Sequence, residues 1–291
     1  MSRSKRLPPT EPPASPRLSS PWPRLVLAAL AYVAVTVALR LGLGTALRAL
    51  FEAWNVNADT AARAPAWARA LYLWQGSLIA LLVSAAAIAL CVRVLHARLP
   101  RPAPGPALKG WLLGTGLALG GAALFLLTDS LRLMWPLSRP RLSPGLALLW
   151  GLSLAAALSE ELFTKGVCMA RAPAPWGIPL AALAFFLMNG GVSGSVISGV
   201  NVALMGLVCA LLYARHGLWA DVAFRWGWSF ATVFLLGQSG GDRAVYRLYG
   251  VSETLITGGD GGFVYGLGLT AVLTALGVWM ILPGVRPSRK G

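Results

Sequence analysis

Long apolar segments dominate the chain and limit the folds open to it. The sequence has 291 residues, of which 56% are hydrophobic and only 12% are charged, a composition typical of a polytopic membrane protein. We predict an all-α fold, a bundle of about eight transmembrane helices, because every backbone polar group inside a bilayer must be satisfied within its own segment. The predicted helices lie near residues 25–47, 70–92, 111–127, 145–170, 176–190, 196–213, 218–236 and 263–282.

The distribution of proline and basic residues predicts the domains and the orientation. Residues 1–24, rich in both, predict a disordered cytoplasmic tail, and residues 283–291 predict a second basic tail. Between them we assign residues 25–144 to helices one to three with their loops, and residues 145–282 to a core of helices four to eight. Most Lys and Arg residues outside the helices fall on the side that carries both termini, so the positive-inside rule places the termini in the cytoplasm and the protein in the cell (inner) membrane.

The net charge of +15 does not indicate nucleic-acid binding, because no basic stripe with interleaved aromatic residues is present. The basic residues lie in loops and tails, where the predicted partner is the lipid bilayer with its anionic head groups.

Cys91, Cys168 and Cys209 lie in or beside apolar segments without Cys-x-x-Cys spacing. We therefore interpret them as packing residues and predict no disulfide, metal or cofactor.

Glu160 and Glu161 form an acidic pair within the fourth apolar segment. A charge at the centre of a membrane helix costs about 2.5–3.5 kcal/mol, so such a pair indicates a functional site. A structural role is the alternative, because Lys165 follows Glu161 by four residues, the favourable order for an ion pair within a helix. Glu160 points about 100° away around the helix, and the same lysine cannot easily serve both.

Two further polar groups lie in later segments. Asn189 lies late in the fifth segment and Arg225 lies within the seventh, where an arginine needs a counter-charge. Glu160 or Glu161 is the natural candidate, and the predicted depths of the two segments permit the contact.

The glycine pairs Gly116-x-x-x-Gly120 and Gly262-x-x-x-Gly266 predict close helix packing within the bundle.

These residues resemble the motifs of the CPBP family of CAAX proteases and bacteriocin-processing membrane proteins. The family's E-E-x-x-x-R-G motif is matched by residues 160–166, with Lys165 in place of arginine. Its F-x-x-x-H motif aligns with Phe185 to Asn189, and its H-x-x-x-N motif aligns with Arg225 to Ser229, so that both histidines and the asparagine are replaced. The resemblance covers residues 145–282.

The resemblance implies an intramembrane endopeptidase with a polar cavity. In the family, the first glutamate activates a water molecule for attack on a peptide carbonyl, and the histidines and asparagine hold the water and stabilise the oxyanion. The candidate catalytic residues are then Glu160, Glu161, Lys165, Asn189, Arg225 and Ser229, with a membrane-embedded peptide or protein as the substrate. Arginine cannot relay a proton, and loss of one oxyanion donor costs about 10²–10³ in rate.

Several functions therefore remain open from the sequence. The protein is either an atypical peptidase that uses Glu160 as its base, or a non-catalytic relative that binds a membrane peptide, a lipid tail or a partner protein. An anion or proton carrier has less support, because the outer halves of the helices contain few ionisable residues. A rhomboid serine protease would need Ser193 to meet His96 or His216 across a bilayer of about 30 Å. The sequence leaves the oligomeric state open.

Overall fold

The computed structural model of the chain describes most of the helical regions. The described residues are 21–57, 59–61, 63–127, 131–134, 144–173, 175–191, 195–236, 247–250 and 266–282. The predicted C-terminal tail lies outside them. The predicted N-terminal tail also lies outside them, except for residues 21–24, which form the first turn of a helix.

Eight α-helices make up the described part of the chain, in the order that the apolar segments predict. They are α1 Pro21–Ala53, α2 Ala66–Ala89, α3 Pro104–Leu127, α4 Pro144–Glu161, α5 Gly177–Met188, α6 Val196–His216, α7 Leu218–Ser229 and α8 Leu267–Ile281. Three of them continue directly into π-helical turns, α2 into Leu90–Val94, α4 into Leu162–Met169 and α7 into Phe230–Leu235. The prediction of an all-helical fold is confirmed, with the addition of two four-residue strands, β1 Leu131–Met134 and β2 Arg247–Gly250, which pair antiparallel.

The protein is a multi-pass membrane protein. Four of the described helices are long and apolar enough to cross a bilayer, namely Pro21–Ala53, Ala66–Val94, Pro104–Leu127 and Val196–His216. Large apolar side chains on α1 face outward, including Leu27 and Leu30, which are 69% and 62% exposed. Such exposure suits lipid and not water. A count of eight membrane-spanning helices stays a prediction, since α5 and α8 have only 12 and 15 residues.

Close backbone contact joins α3 to α7. A Cβ atom at Gly114 would overlap the carbonyl oxygen of Phe224, and one at Gly227 would overlap the carbonyl oxygen of Trp111. Gly116 and Gly120, by contrast, have open space at the Cβ position. The prediction that this pair mediates packing is therefore wrong. The Gly-x-x-x-Gly spacing is typical of a close helix contact. These two glycines, however, lie on a different face of α3 from the face that contacts α7. Gly262 lies outside the described residues.

This difference gives a direct test of the helix seam. We expect Gly114→Ala to lower the thermal stability of the purified protein, because overpacking a tight contact costs about 1–3 kcal/mol. Gly116→Ala should leave the melting temperature unchanged or raise it slightly, since alanine is the better helix former. Melting curves of both variants in detergent make the comparison. Equal effects of the two substitutions would contradict the assignment of the seam.

Two buried apolar clusters meet around α5 and α7. The first is built mainly from α3, α6 and α8, with Phe185 of α5 and Phe224 of α7. The second is built from α1, the end of α2 and the turn after α4, with Val222 of α7. The three cysteines are buried within these clusters, which confirms the prediction that they are packing residues. The polar residues described next lie between the clusters.

Candidate functional site

The polar site is built where two helices change their winding. Glu160 and Glu161 are the last residues of α4, and the π-helical turn that follows contains Lys165. The Thr164 hydroxyl donates to the Glu160 carbonyl oxygen at 2.9 Å. This backbone oxygen, at the point where α4 passes into the π-helical turn, therefore has a hydrogen-bond donor. Ser229 likewise ends α7 just before a π-helical turn. Such turns are rare and are frequent at functional sites.

Glu160, Asn189 and Arg225 form a partly exposed group. The Arg225 Nη2 atom donates to Glu160 Oε2 at 2.9 Å and to Asn189 Oδ1 at 3.1 Å. The Asn189 Nδ2 atom donates to the same Glu160 oxygen at 3.3 Å and to the Phe185 carbonyl oxygen at 3.1 Å. Because a guanidinium only donates and a carboxylate only accepts, the amide bridges the two ions in a single orientation. The side chains of Arg225 and Glu160 are 15% and 25% exposed.

Glu161, Lys165 and Asp221 form a second, fully buried group. The Lys165 ammonium donates to Glu161 Oε2 and lies 3.6 Å from Asp221 Oδ2. The Thr164 hydroxyl oxygen also lies 3.3 Å from this Glu161 oxygen, so its one proton is shared between this contact and the shorter one to the Glu160 carbonyl oxygen. The Arg225 Nε atom lies 3.6 Å from Glu161 Oε1 and thereby connects the two groups. The structure thus contains the Glu161–Lys165 pair predicted from the spacing, and it gives Glu160 a cation of its own.

An aromatic ring lies against both cations. The ring centroid of Phe185 is 4.5 Å from the guanidinium carbon of Arg225 and 5.1 Å from the Lys165 nitrogen. The ring is almost fully buried, and a cation over an aromatic face gains about 0.5–2 kcal/mol. Phe185, the first residue of the segment aligned with the F-x-x-x-H motif, therefore stabilises both cations of the site through its ring.

Sequence reasoning missed Asp221. This carboxylate has no exposed surface, and neither of its oxygens has a hydrogen-bond partner among the described residues. One oxygen lies within 4.8 Å of ligand atoms of Glu161 and Cys209. The signal was present in the sequence, because Asp221 precedes Arg225 by four residues on one helix and therefore lies on the same face.

Ser229 lies at the edge of the site. It follows Arg225 by one turn of α7 and is partly exposed, and no hydrogen bond joins its hydroxyl to the other predicted site residues within the described ranges. Ser193, which the rhomboid alternative requires, lies outside the described residues, while His96 and His216 are exposed.

Glu161, Cys209 and Asp221 raise the question of a metal. Their ligand atoms lie within 4.8 Å of one another and all three residues are buried. The Lys165 ammonium already binds Glu161 and lies beside Asp221. It supplies at this position the positive charge that a metal ion would otherwise bring. The donor set therefore does not fit a metal ion while Lys165 is in place.

A cavity of about 350 Å³ borders the partly exposed group. It lies between α1, α2, α4 and α5, and Glu160 forms part of its wall beside Ser159 and Tyr32. Most of the other lining residues are apolar, among them Val33, Val37 and Leu187 of α1 and α5. The volume falls within the range of about 300–1,000 Å³ found for small-ligand sites.

The arrangement defines a membrane protein with an acid–base cluster between its helices, next to a cavity lined mostly by apolar residues. The family model described as type II CAAX prenyl endopeptidase Rce1-like matches residues 142–231. This segment contains all six predicted site residues, and the match confirms the resemblance drawn from the motifs. No curated protein and no solved structure matches the chain. Residues 142–231 are accordingly similar to a CAAX protease family, and the chain that contains them is a multi-pass membrane protein.

Proposed function

We propose that the protein is a non-hydrolytic relative of the CAAX proteases that binds a membrane-embedded ligand in the cavity beside Glu160. The observation that carries this proposal is the hydrogen bonding of Glu160. Its Oε2 atom accepts hydrogen bonds from both Arg225 and Asn189. A general base must be free to take a proton from water within hydrogen-bond reach. The two donors occupy the lone pairs of Oε2 to which a water molecule would otherwise donate its proton.

The replacements at the other motif positions support the same proposal. Arg225 cannot accept or relay a proton, and its guanidinium is held by the two side chains that would otherwise bind water. Asn189 donates to Glu160 and to the Phe185 carbonyl oxygen, so its amide protons are engaged within the protein. Since each missing oxyanion donor costs about 10²–10³ in rate, the loss of both histidines leaves little of the family's mechanism.

A cleavage assay tests this function. We expect no cleavage of a library of membrane-tethered peptides by the purified protein in nanodiscs, and no difference between wild type and Glu160→Gln. We also expect Glu160→Gln to lower the melting temperature, because it leaves Arg225 without its nearest counter-charge. Cleavage that is lost in Glu160→Gln at an unchanged melting temperature would refute the proposal.

An atypical peptidase is the second candidate, and one observation favours it. Glu160 is 25% exposed and lines the cavity, and only its Oε2 atom takes part in the hydrogen bonds found among the described residues. The other carboxylate oxygen could then contact a water in the cavity, with Arg225 as the cation that stabilises an oxyanion. Under this alternative, the membrane-embedded substrate would be a peptide and the protein would be a hydrolase. The same assay separates the two candidates.

A further inference from the structure

The cavity extends along α1 from the site to an isolated cation. Tyr32 and Arg40 both line it, and they are about 12 Å apart along the helix axis at 1.5 Å per residue. Glu160 and Ser159 lie on the wall contributed by α4. The cavity therefore has an acidic end, where Glu160 is already paired, and a basic end at Arg40.

Arg40 has no counter-charge within the part of the chain that the structure describes. The ion pairs found there involve Lys165 and Arg225. Arg40 is exposed, and no hydrogen bond joins its side chain to the other described residues. The carboxylate that shares the cavity, Glu160, is held by Arg225. A guanidinium beside an apolar cavity in a membrane helix is costly unless an anion joins it. Arginine is also the side chain best suited to bind phosphate, through parallel hydrogen bonds.

The walls between the two ends are suited to a hydrocarbon chain. Val33, Val37 and Leu187 line the cavity and are 51%, 48% and 57% exposed, so the cavity adjoins the lipid-facing surface of α1 and α5. A molecule dissolved in the bilayer can reach it from the side without crossing water.

A peptide fits these walls less well than an acyl chain. The hydroxyl of Thr36 donates to the Tyr32 carbonyl oxygen at 2.8 Å, and that of Ser159 donates to the Ala156 carbonyl oxygen at 2.8 Å. Two of the polar groups in the wall are thus engaged by their own helices. A peptide in the extended form would leave backbone N–H and C=O groups unsatisfied there, at a cost of several kcal/mol each. An acyl chain has no such groups.

We propose that the cavity binds an anionic phospholipid, with its phosphate on Arg40 and an acyl chain along Val33, Val37 and Leu187 toward Glu160. This inference rests on the proposed binding function of the cavity and names its ligand class. Basic residues between membrane helices are a recognised means of binding anionic head groups. The lipid neutralises Arg40 and fills the space beside the site.

Native mass spectrometry of the protein released from nanodiscs tests this site. We expect phosphatidic acid to be retained and phosphatidylcholine to be lost, and Arg40→Gln to weaken retention of phosphatidic acid by about tenfold or more, as expected when a charge-assisted pair is removed. Arg48→Gln is the matched control, since Arg48 is also an exposed arginine of α1 but does not line the cavity. It should leave retention unchanged. Ala80→Phe, which places a ring in the cavity, should abolish retention while Arg40 is present.

The outcomes separate this inference from the proposed function. Three results would each overturn the lipid site. Arg40→Gln and Arg48→Gln could weaken retention of phosphatidic acid equally, or the protein could retain both lipids equally. The third result is displacement of the lipid by a peptide with a free carboxylate. Peptide cleavage that depends on Glu160, together with lipid loss in Arg40→Gln alone, would refute the non-hydrolytic function and leave the lipid site standing. Melting curves in neutral detergent check that each variant is folded.

Discussion

Replacing Lys165 by methionine is expected to lower the free energy of unfolding by about 3–5 kcal/mol, the usual cost of removing one partner from a buried ion pair. Lys165 and the two carboxylates nearest to it, Glu161 and Asp221, have no exposed surface. Its ammonium is the nearest cation to both. The substitution leaves Asp221 without a counter-charge among the described residues, and it leaves Glu161 with only the more distant Arg225, 3.6 Å away. Thermal unfolding in detergent, followed by tryptophan fluorescence or by yield of monodisperse protein, measures the loss.

Two further variants make this prediction specific. Lys109→Met removes an exposed lysine from α3 and should leave the melting temperature unchanged. The triple variant Lys165→Met, Glu161→Gln, Asp221→Asn removes all three charges and should recover much of the lost stability, because neutral groups of similar size cost less to bury than unpaired ions. If Lys165→Met melts like the wild type, the buried group does not hold the fold together.

The helices could be predicted from the sequence, but their contacts could not. A run of apolar residues marks a helix in a bilayer, and all eight α-helices lie where such runs predict them. In water, the apolar face of a helix also reveals which side is buried. In lipid that signal is lost, since Leu30 facing the bilayer and Leu25 facing the core are equally apolar. For this reason Gly116 and Gly120 were assigned to packing, whereas Gly114 meets α7.

Charge was a better guide to the site than apolar pattern. An arginine in a membrane helix requires an acid, and this requirement alone predicts the approach of Arg225 to Glu160 that the structure contains. Asp221 was missed, although it precedes Arg225 by four residues and therefore lies on the same face of α7. The family resemblance implied a polar cavity, but the position of the cavity beside Glu160 and its mostly apolar lining could not be predicted, since four separate helices contribute its walls.

Placing the residues of the CAAX-protease motifs at the three replaced positions is expected to create peptidase activity, which the proposed function denies to the wild type. In the variant Asn189→His, Arg225→His, Ser229→Asn, the salt bridge that holds Glu160 Oε2 is gone, and two imidazoles take the places of groups that cannot relay a proton. A neutral imidazole both donates and accepts. We expect cleavage of membrane-tethered peptides to rise by at least about 10²-fold over the same variant carrying Glu160→Gln, the size expected for regaining one oxyanion donor.

The measurement is single-turnover cleavage in nanodiscs, with melting curves taken in parallel. Arg225 also lies 3.6 Å from Glu161 and over the ring of Phe185, so its loss removes a cation from a site with three acids. If the variant is unstable, a fourth substitution, Asp221→Asn, removes one negative charge and so compensates for the lost positive charge of Arg225. A folded variant that remains inactive would mean that the two histidine positions are not where hydrolysis was lost. The barrier would then lie in the cavity itself, whose walls along α1 and α2 fall outside the matched segment 142–231.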